Sequence, residues 1–149
     1  MFKNCTNLKT APQLNATSLS EYCYYSMFYG CSNLDLTEDY ILPATTLAYS
    51  CYANMFSYCN SLTNAPKLPA TQLSEGCYYN MFSECINLKM APELSSINLV
   101  DNCYERMFYG CINLNYVKAL FKTVSNSNCT ENWLNNVSNK GTFIRNNII

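Results

Sequence analysis

The sequence contains no histidine among its 149 residues. That absence excludes Ser-His-Asp and Cys-His catalysis, and it excludes the mixed Cys/His sites typical of many zinc proteins. Only 13% of the residues are charged, the formal net charge is −1, and lysine and arginine form no cluster. We therefore expect no nucleic-acid partner and no enzymatic activity.

Long apolar stretches are also missing. No apolar run approaches the length needed to cross a bilayer, so we expect no membrane insertion. The N-terminal MFKNCTNLK has no charged leader followed by an apolar core, and no signal peptide is visible. Either the protein is not exported by that route, or the chain is a piece of something longer.

What the sequence does contain is a repeat. Met-Phe pairs begin at Met1, Met27, Met55, Met81 and Met107. Each unit also carries two cysteines and two leucines in fixed slots. The two cysteine ladders are Cys5, Cys31, Cys59, Cys85 and Cys111, and Cys23, Cys51, Cys77, Cys103 and Cys129.

The spacing within a unit predicts secondary structure. Leu19, Cys23, Met27 and Cys31 are four apart, which is typical of one helical face. An extended segment interrupted by Pro12 precedes them, and it predicts a brief strand. We therefore predict an α/β repeat solenoid over 1–134, in which five units of about 26 residues each form a short parallel strand and a short helix. The units start at 1, 27, 55, 81 and 107, and 133–149 form a degenerate C-terminal cap or tail.

The unit M-F-x-x-C-x-x-L, followed by a short extended segment, resembles the BspA-like leucine-rich repeat family over roughly 1–134. The resemblance implies a leucine-rich-repeat solenoid of the kind found on bacterial cell surfaces, in some phage genomes and in certain protist parasites. It implies adhesion and protein binding instead of catalysis. It also implies a cell-surface or extracellular location as part of a longer protein, with a phage virion as the alternative.

The ten cysteines allow several interpretations. No CxxC motif occurs and histidine is absent, so we expect no metal and no cofactor. Cys23 and Cys31 would lie about 12 Å apart along a helix, whereas a disulfide needs Cα atoms about 4.4–6.8 Å apart. Because each ladder has five cysteines, disulfides between units would leave one cysteine of each ladder unpaired. We interpret the ladders as buried thiols that pack as small hydrophobes, with disulfides as the alternative.

Slots that vary between units mark a candidate binding surface. One set flanks the Ala-Pro pairs and would form a polar ribbon along the strand face, where repeat proteins commonly bind; a solvated sheet face is the competing interpretation. The strand-face ribbon comprises Lys9, Thr10, Gln13, Thr63, Asn64, Lys67, Lys89, Met90, Glu93, Asn115, Tyr116 and Lys118.

A second set consists of tyrosines on the predicted helical side. Tyrosine is enriched at recognition surfaces because it combines a large area with a polar tip. The candidate exposed aromatics are Tyr25, Tyr29, Tyr49, Tyr58, Tyr79 and Tyr109.

Two functions compete at this stage. The first is a surface-displayed, non-enzymatic module that recognises a protein or glycan. The second is a structural or assembly component that resembles a virion or fibre part. Met1-Phe2 is already in phase with the repeat, so an uncapped N-terminal end would expose Phe2, Cys5 and Leu8. We expect this end to be covered, either by a preceding part of a longer protein or by another copy of the chain.

Overall fold

A computed structural model describes residues 1–124 and 127–146 of the chain. Successive repeat units lie on one another as a stack of coils. Strand β1 spans Tyr116–Ala119 and pairs in parallel with β2, Thr142–Arg145, and a 3₁₀ turn spans Ser127–Thr130. Earlier coils are joined on the same side by isolated parallel bridges: Thr10–Asp35, Ser18–Thr46, Ile41–Lys67 and Met90–Tyr116.

The predicted α/β solenoid of strands and helices is wrong. The described ranges contain no α-helix and only the two four-residue strands. Where helices were expected, the chain forms overlapping four-residue turns. Alternate N–H groups donate three residues back, as Cys23 does to the Ser20 carbonyl, and the N–H groups between them donate to the next coil, as Tyr24 does to the Cys51 carbonyl at 3.0 Å.

Backbone conformation explains why these segments are not helical. Every fourth residue of the turn region has a positive φ: in the first coil these are Tyr22, Ser26 and Gly30. An α-helix requires negative φ throughout and an i−4 acceptor for each N–H group. Nine of the fifteen positive-φ positions hold Asn or Gly, the residues that adopt this conformation most readily. A four-residue period is therefore shared by one helical face and by this series of turns.

Two aromatic columns run through the core. The rings of Phe2, Phe28, Phe56, Phe82 and Phe108 stack at centroid separations of 5.5–5.7 Å. A parallel column contains Tyr24, Tyr52, Tyr78 and Tyr104. Burying a side chain of this size stabilises the fold by about 1.5–3 kcal/mol, and ring pairing adds about 0.5–1.5 kcal/mol. The stack is thus held chiefly by contacts between coils.

Asparagine side chains connect the coils at the Cys-x-Asn-Leu motif. The amide groups of Asn33, Asn87 and Asn113 each donate to a carbonyl of the preceding coil at 2.7 Å. These carbonyls would otherwise lack a partner at the corner of the coil. The motif therefore supplies a polar bond beside a buried leucine.

The C-terminal end differs from the repeats. Trp133 contacts Tyr104, Phe121 and Phe143, and this aromatic cluster covers the last coil. The predicted segments 1–134 and 133–149 include residues 125, 126 and 147–149, which lie outside the described residues. No helix in the described part of the chain has the length and hydropathy needed to cross a membrane.

Candidate functional site

The turn face is the outer surface formed by residues 20–30 and by the equivalent residues 48–58, 74–84 and 100–110. Hydrogen bonds between coils align equivalent residues into columns. The N–H groups of Tyr22, Ser50 and Gly76 donate to the carbonyls of Tyr49, Glu75 and Asp101, respectively. Tyr22, Ser50, Gly76 and Asn102 therefore form one column, and all four have positive φ.

Small residues interrupt some columns of the turn face. Ser50 and Gly76 stand between Tyr22 and Asn102, and in the neighbouring column Ala53 stands between Tyr25 and Tyr79. These small residues leave a depression of about 270 Å³, which we name the tyrosine groove. Its lining residues are Tyr22, Tyr25, Tyr49, Ser50, Ala53, Asn54, Gly76, Tyr79 and Asn102.

The tyrosine rings of the groove meet edge to face. The Tyr22 centroid lies 5.8 Å from that of Tyr25 and 5.3 Å from that of Tyr49, with interplanar angles of 72° and 77°. The three residues are 51%, 49% and 39% exposed, so part of each is accessible to a ligand. A hydrogen-bonding interaction with Tyr49 raises the pKa of Tyr22, and burial and the charge of Glu21 raise it further. The Tyr22 hydroxyl therefore stays protonated at neutral pH.

The six predicted tyrosines separate into three groups. Tyr25, Tyr49 and Tyr79 line the groove. Tyr58 is exposed, and its ring lies 5.4 Å from that of half-buried Tyr29. Half-buried Tyr109 carries the Arg106 guanidinium 4.1 Å above its ring. The structure thus brings three of the six together and distributes the others along the turn face.

The strand-face ribbon is a shallow, mixed surface. Nine of its twelve residues are exposed, and Asn64, Tyr116 and Lys118 are half-buried. Glu93 and Lys118 form an ion pair at 2.8 Å, and the hydrogen bond to Glu93 raises the pKa of Lys118. A second depression, of about 280 Å³, lies beside Ile41, Pro66, Lys67, Pro92 and Glu93.

Neighbouring polar groups occupy part of this strand face. The Asp35 carboxylate accepts hydrogen bonds from the Thr63 main chain at 2.8 Å and from its hydroxyl at 2.6 Å. Burial acts to raise the pKa of Asp35, but these bonds outweigh it and lower the pKa. The Asn64 amide donates to the Leu36 carbonyl. Several ribbon side chains are therefore already hydrogen-bonded within the chain.

The ten cysteines are all thiols, and most are buried. The exceptions are Cys5, which is exposed, and Cys23, which is half-buried. In one ladder the thiol donates to a phenylalanine carbonyl of the preceding coil: Cys59 to Phe28, Cys85 to Phe56 and Cys111 to Phe82, at 3.0–3.2 Å. Cysteine fits this slot because it is small and carries a weak donor.

The electrostatics of the thiols argue against reactivity. Burial raises the pKa of Cys51 to about 11 and those of Cys103 and Cys111 to about 12. A thiol acts as nucleophile or metal ligand only as the thiolate, which these values disfavour at neutral pH. Within residues 1–124 and 127–146, no three Cys, Asp or Glu side chains are placed to hold a metal ion.

Sequence reasoning missed several residues of the groove. Tyr22, Asn54 and Asn102 line it but were not among the candidates, because the helical assignment did not align them with their column. The signal was present: Ser50 and Gly76 are small residues in a slot that holds tyrosine in the first unit. Comparing the units slot by slot at the turn region would have located the depression.

No protein-family model, no curated protein and no solved structure matches this chain. Function must therefore be inferred from the groove and the surfaces around it.

Proposed function

We propose that the chain is a non-enzymatic recognition module that binds a protein or glycan ligand through its turn face. The observation that carries the proposal is the tyrosine groove, a depression in which small residues interrupt two outer columns and tyrosines surround the gap. The cell-surface or virion location implied by the family resemblance belongs to the same proposal.

The chemistry of the groove supports recognition. Aromatic side chains provide a large contact area with few rotatable bonds, and amides such as Asn54 and Asn102 provide adaptable hydrogen bonds. A concave site with mainly apolar walls and a few polar groups is the usual form of a ligand site. The strand face has a depression of similar size, but part of its polar surface is already hydrogen-bonded or ion-paired within the chain.

The test is a binding screen with matched variants. The wild-type chain, Tyr49→Leu and Tyr58→Leu are each applied to a glycan array and to a displayed peptide library. We expect at least one ligand that Tyr49→Leu loses and Tyr58→Leu keeps, because only Tyr49 lines the groove. Ligands that both variants keep, or that only strand-face substitutions such as Lys67→Ala abolish, would overturn the assignment to the turn face.

Assembly is a second candidate, and the N-terminal end of the stack favours it. Met1 is 87% exposed, Cys5 is exposed and Phe2 is only half-buried. Among the described residues, no hydrogen bond reaches the carbonyls of Glu21 and Cys23, although their equivalents in the next coil each accept one. This surface therefore offers acceptors and apolar area that a preceding segment of a longer protein or a second copy of the chain can cover.

The polarity of the stack determines how a second copy would dock. At the opposite end the main-chain N–H groups of Asn132 and Leu134 have no acceptor among the described residues, so stacking would be head to tail. Lysines lie near both ends, at Lys3 and Lys140, and oppose this contact at low salt. Light scattering should show mass that rises with concentration and salt and falls with Phe2→Asp. A mass of 17.0 kDa throughout would exclude assembly.

A further inference from the structure

We propose that the tyrosine groove takes an alkylated ammonium group carried by the ligand. This inference rests on the proposed recognition function and adds the chemical class that the groove accepts. The face of an aromatic ring carries negative electrostatic potential, and cations bind over it within about 6 Å of the centroid. Several such rings around one depression form a cage for a bulky cation.

The chain itself shows that turn-face tyrosines hold cations. The Lys3 ammonium lies 4.9 Å from the Tyr29 centroid, and the Arg106 guanidinium lies 4.1 Å from that of Tyr109. None of the described cations lies over the four tyrosines of the groove. The tyrosines that face the groove are therefore available to a cation from outside.

The charges beside the groove have the complementary sign. Tyr49 belongs to the column of carbonyl acceptors, in which Glu21 precedes it and Glu75 and Asp101 follow it. Adjacent coils are about 5 Å apart, so Glu21 and Glu75 flank Tyr49 closely. No charged side chain lines the groove itself, so the nearest charges in these columns are the carboxylates beside it. A cation gains from these carboxylates, whereas a neutral sugar does not and an anion is repelled.

The shape of the groove comes from the small residues at its floor. Gly76 has φ of +61°, and a Cβ there would lie 2.9 Å from the Ser50 hydroxyl oxygen. Ala53 occupies a slot that holds tyrosine in the first and third coils. Ala53→Tyr would place a ring in the column between Tyr25 and Tyr79.

The first experiment measures binding by calorimetry with choline and with its neutral isostere 3,3-dimethylbutan-1-ol. We expect choline to bind and the isostere to bind at least about tenfold more weakly, because only the cation interacts with the ring faces and the carboxylates. Equal binding of the two would show a merely apolar groove and overturn the inference. Binding of methyl glucoside in preference to choline would overturn it as well.

Variants test the position of the site. Tyr49→Leu and Ala53→Tyr should each weaken choline binding by about threefold to thirtyfold, and Tyr58→Leu should not change it. Proton NMR spectra of each variant establish that it is folded. If Tyr58→Leu weakens binding as much as Tyr49→Leu does, the cation binds to turn-face tyrosines in general and the groove is not the site.

Two sources of the ammonium group are separated by a third probe. Choline represents a phosphocholine-type headgroup, and Nε-trimethyl-lysine amide represents a protein side chain; tighter binding of either supports the inference and identifies the source. A screened ligand that needs Tyr49 but bears no cationic group keeps the recognition function and overturns this inference. Choline binding without any macromolecular ligand supports the inference and counts against the recognition function.

Discussion

The inner and outer columns of the stack follow different rules. At the inner phenylalanine slot the residue is the same from Phe2 to Phe108, with rings 5.5–5.7 Å apart. In the outer column that begins at Tyr22, the residues change to serine, glycine and asparagine in successive coils. Both columns have the same backbone hydrogen bonds between coils. The difference therefore lies in what each side chain contacts.

Packing explains the uniform column. A buried ring that stacks on equal rings leaves no room for change, because interiors are packed as closely as organic crystals. An outer position is free of that constraint, so its residue can be chosen for a ligand. At Ser50, Ala53 and Gly76, small residues stand among larger ones and form a depression.

Alkaline pH should lower the free energy of unfolding because it favours ionisation of thiol and phenol groups that are buried in the core. Burial raises the pKa of Cys51 to about 11, that of Cys111 to about 12 and that of Tyr40 to about 12. An unfolded thiol ionises near pH 9, so above that pH the unfolded chain loses protons that the folded chain retains. The free energy of unfolding therefore falls with rising pH, by about 1.4 kcal/mol per pH unit for each such thiol.

Urea unfolding at pH 7, 9 and 10.5 in the presence of reductant measures this loss. Because several thiols act together, we expect the chain to be largely unfolded at pH 10.5. Stability that is unchanged from pH 7 to pH 10.5 would show that the thiols are not buried in the folded state.

Truncating one inner ring should cost more than truncating one outer ring. Phe56→Ala removes a fully buried ring that stacks on Phe28 and Phe82, and we expect a loss of about 3–5 kcal/mol. Tyr58→Ala, two residues away on the surface, should cost about 0.5 kcal/mol. Urea unfolding at neutral pH compares the two, and equal losses would contradict the distinction between the columns.

The thiol ladder should matter through its hydrogen bond as well as its volume. Cys85→Ala leaves the buried Phe56 carbonyl without the donor that now lies 3.0 Å away, and we expect a loss of about 1–3 kcal/mol. Cys5→Ala, in the same slot but exposed, serves as the control and should be close to neutral. A Cys85→Ala variant as stable as the wild type would show that the thiol only fills space.

Substitutions in the outer column that begins at Tyr22 should have smaller effects than Phe56→Ala. Gly76→Ala places a Cβ in a left-handed position close to Ser50, with an expected cost of about 1–2 kcal/mol. Asn102→Gly, in the same column at φ of +56°, relieves strain and should be neutral or slightly stabilising. Thermal unfolding compares the changes in Tm of the two variants. Changes of opposite sign would verify that these residues have left-handed backbone conformations, and changes of the same sign would contradict it.

The repeat was readable in the sequence, but its secondary structure was not. Leu19, Cys23 and Met27 are four apart, and both a helix and a series of four-residue turns place such residues on one side. Bonds between distant coils decide between them, because each coil supplies acceptors for alternate N–H groups of its neighbour. The sequence of a single unit does not show which acceptors the neighbouring coil will supply.

The candidate site was only partly predictable for the same reason. Tyr25, Tyr49 and Tyr79 were found from composition and spacing, since tyrosine in variable slots indicates an exposed surface. Tyr22 was missed, and so was the floor at Ser50, Ala53 and Gly76, because a depression depends on which residues are adjacent across coils. The asparagines were visible in the sequence, but their left-handed role at Asn54 and Asn102 followed only from the backbone.

The most direct test of the tyrosine groove is residue-resolved NMR on the ¹⁵N-labelled chain titrated with choline. If the interruption of the outer columns is the binding site, amide shifts will concentrate at Asn54, Gly76 and Asn102 and be absent from Thr63 and Lys89 on the strand face. Shifts on the strand face instead, or none at saturating choline, would contradict the account.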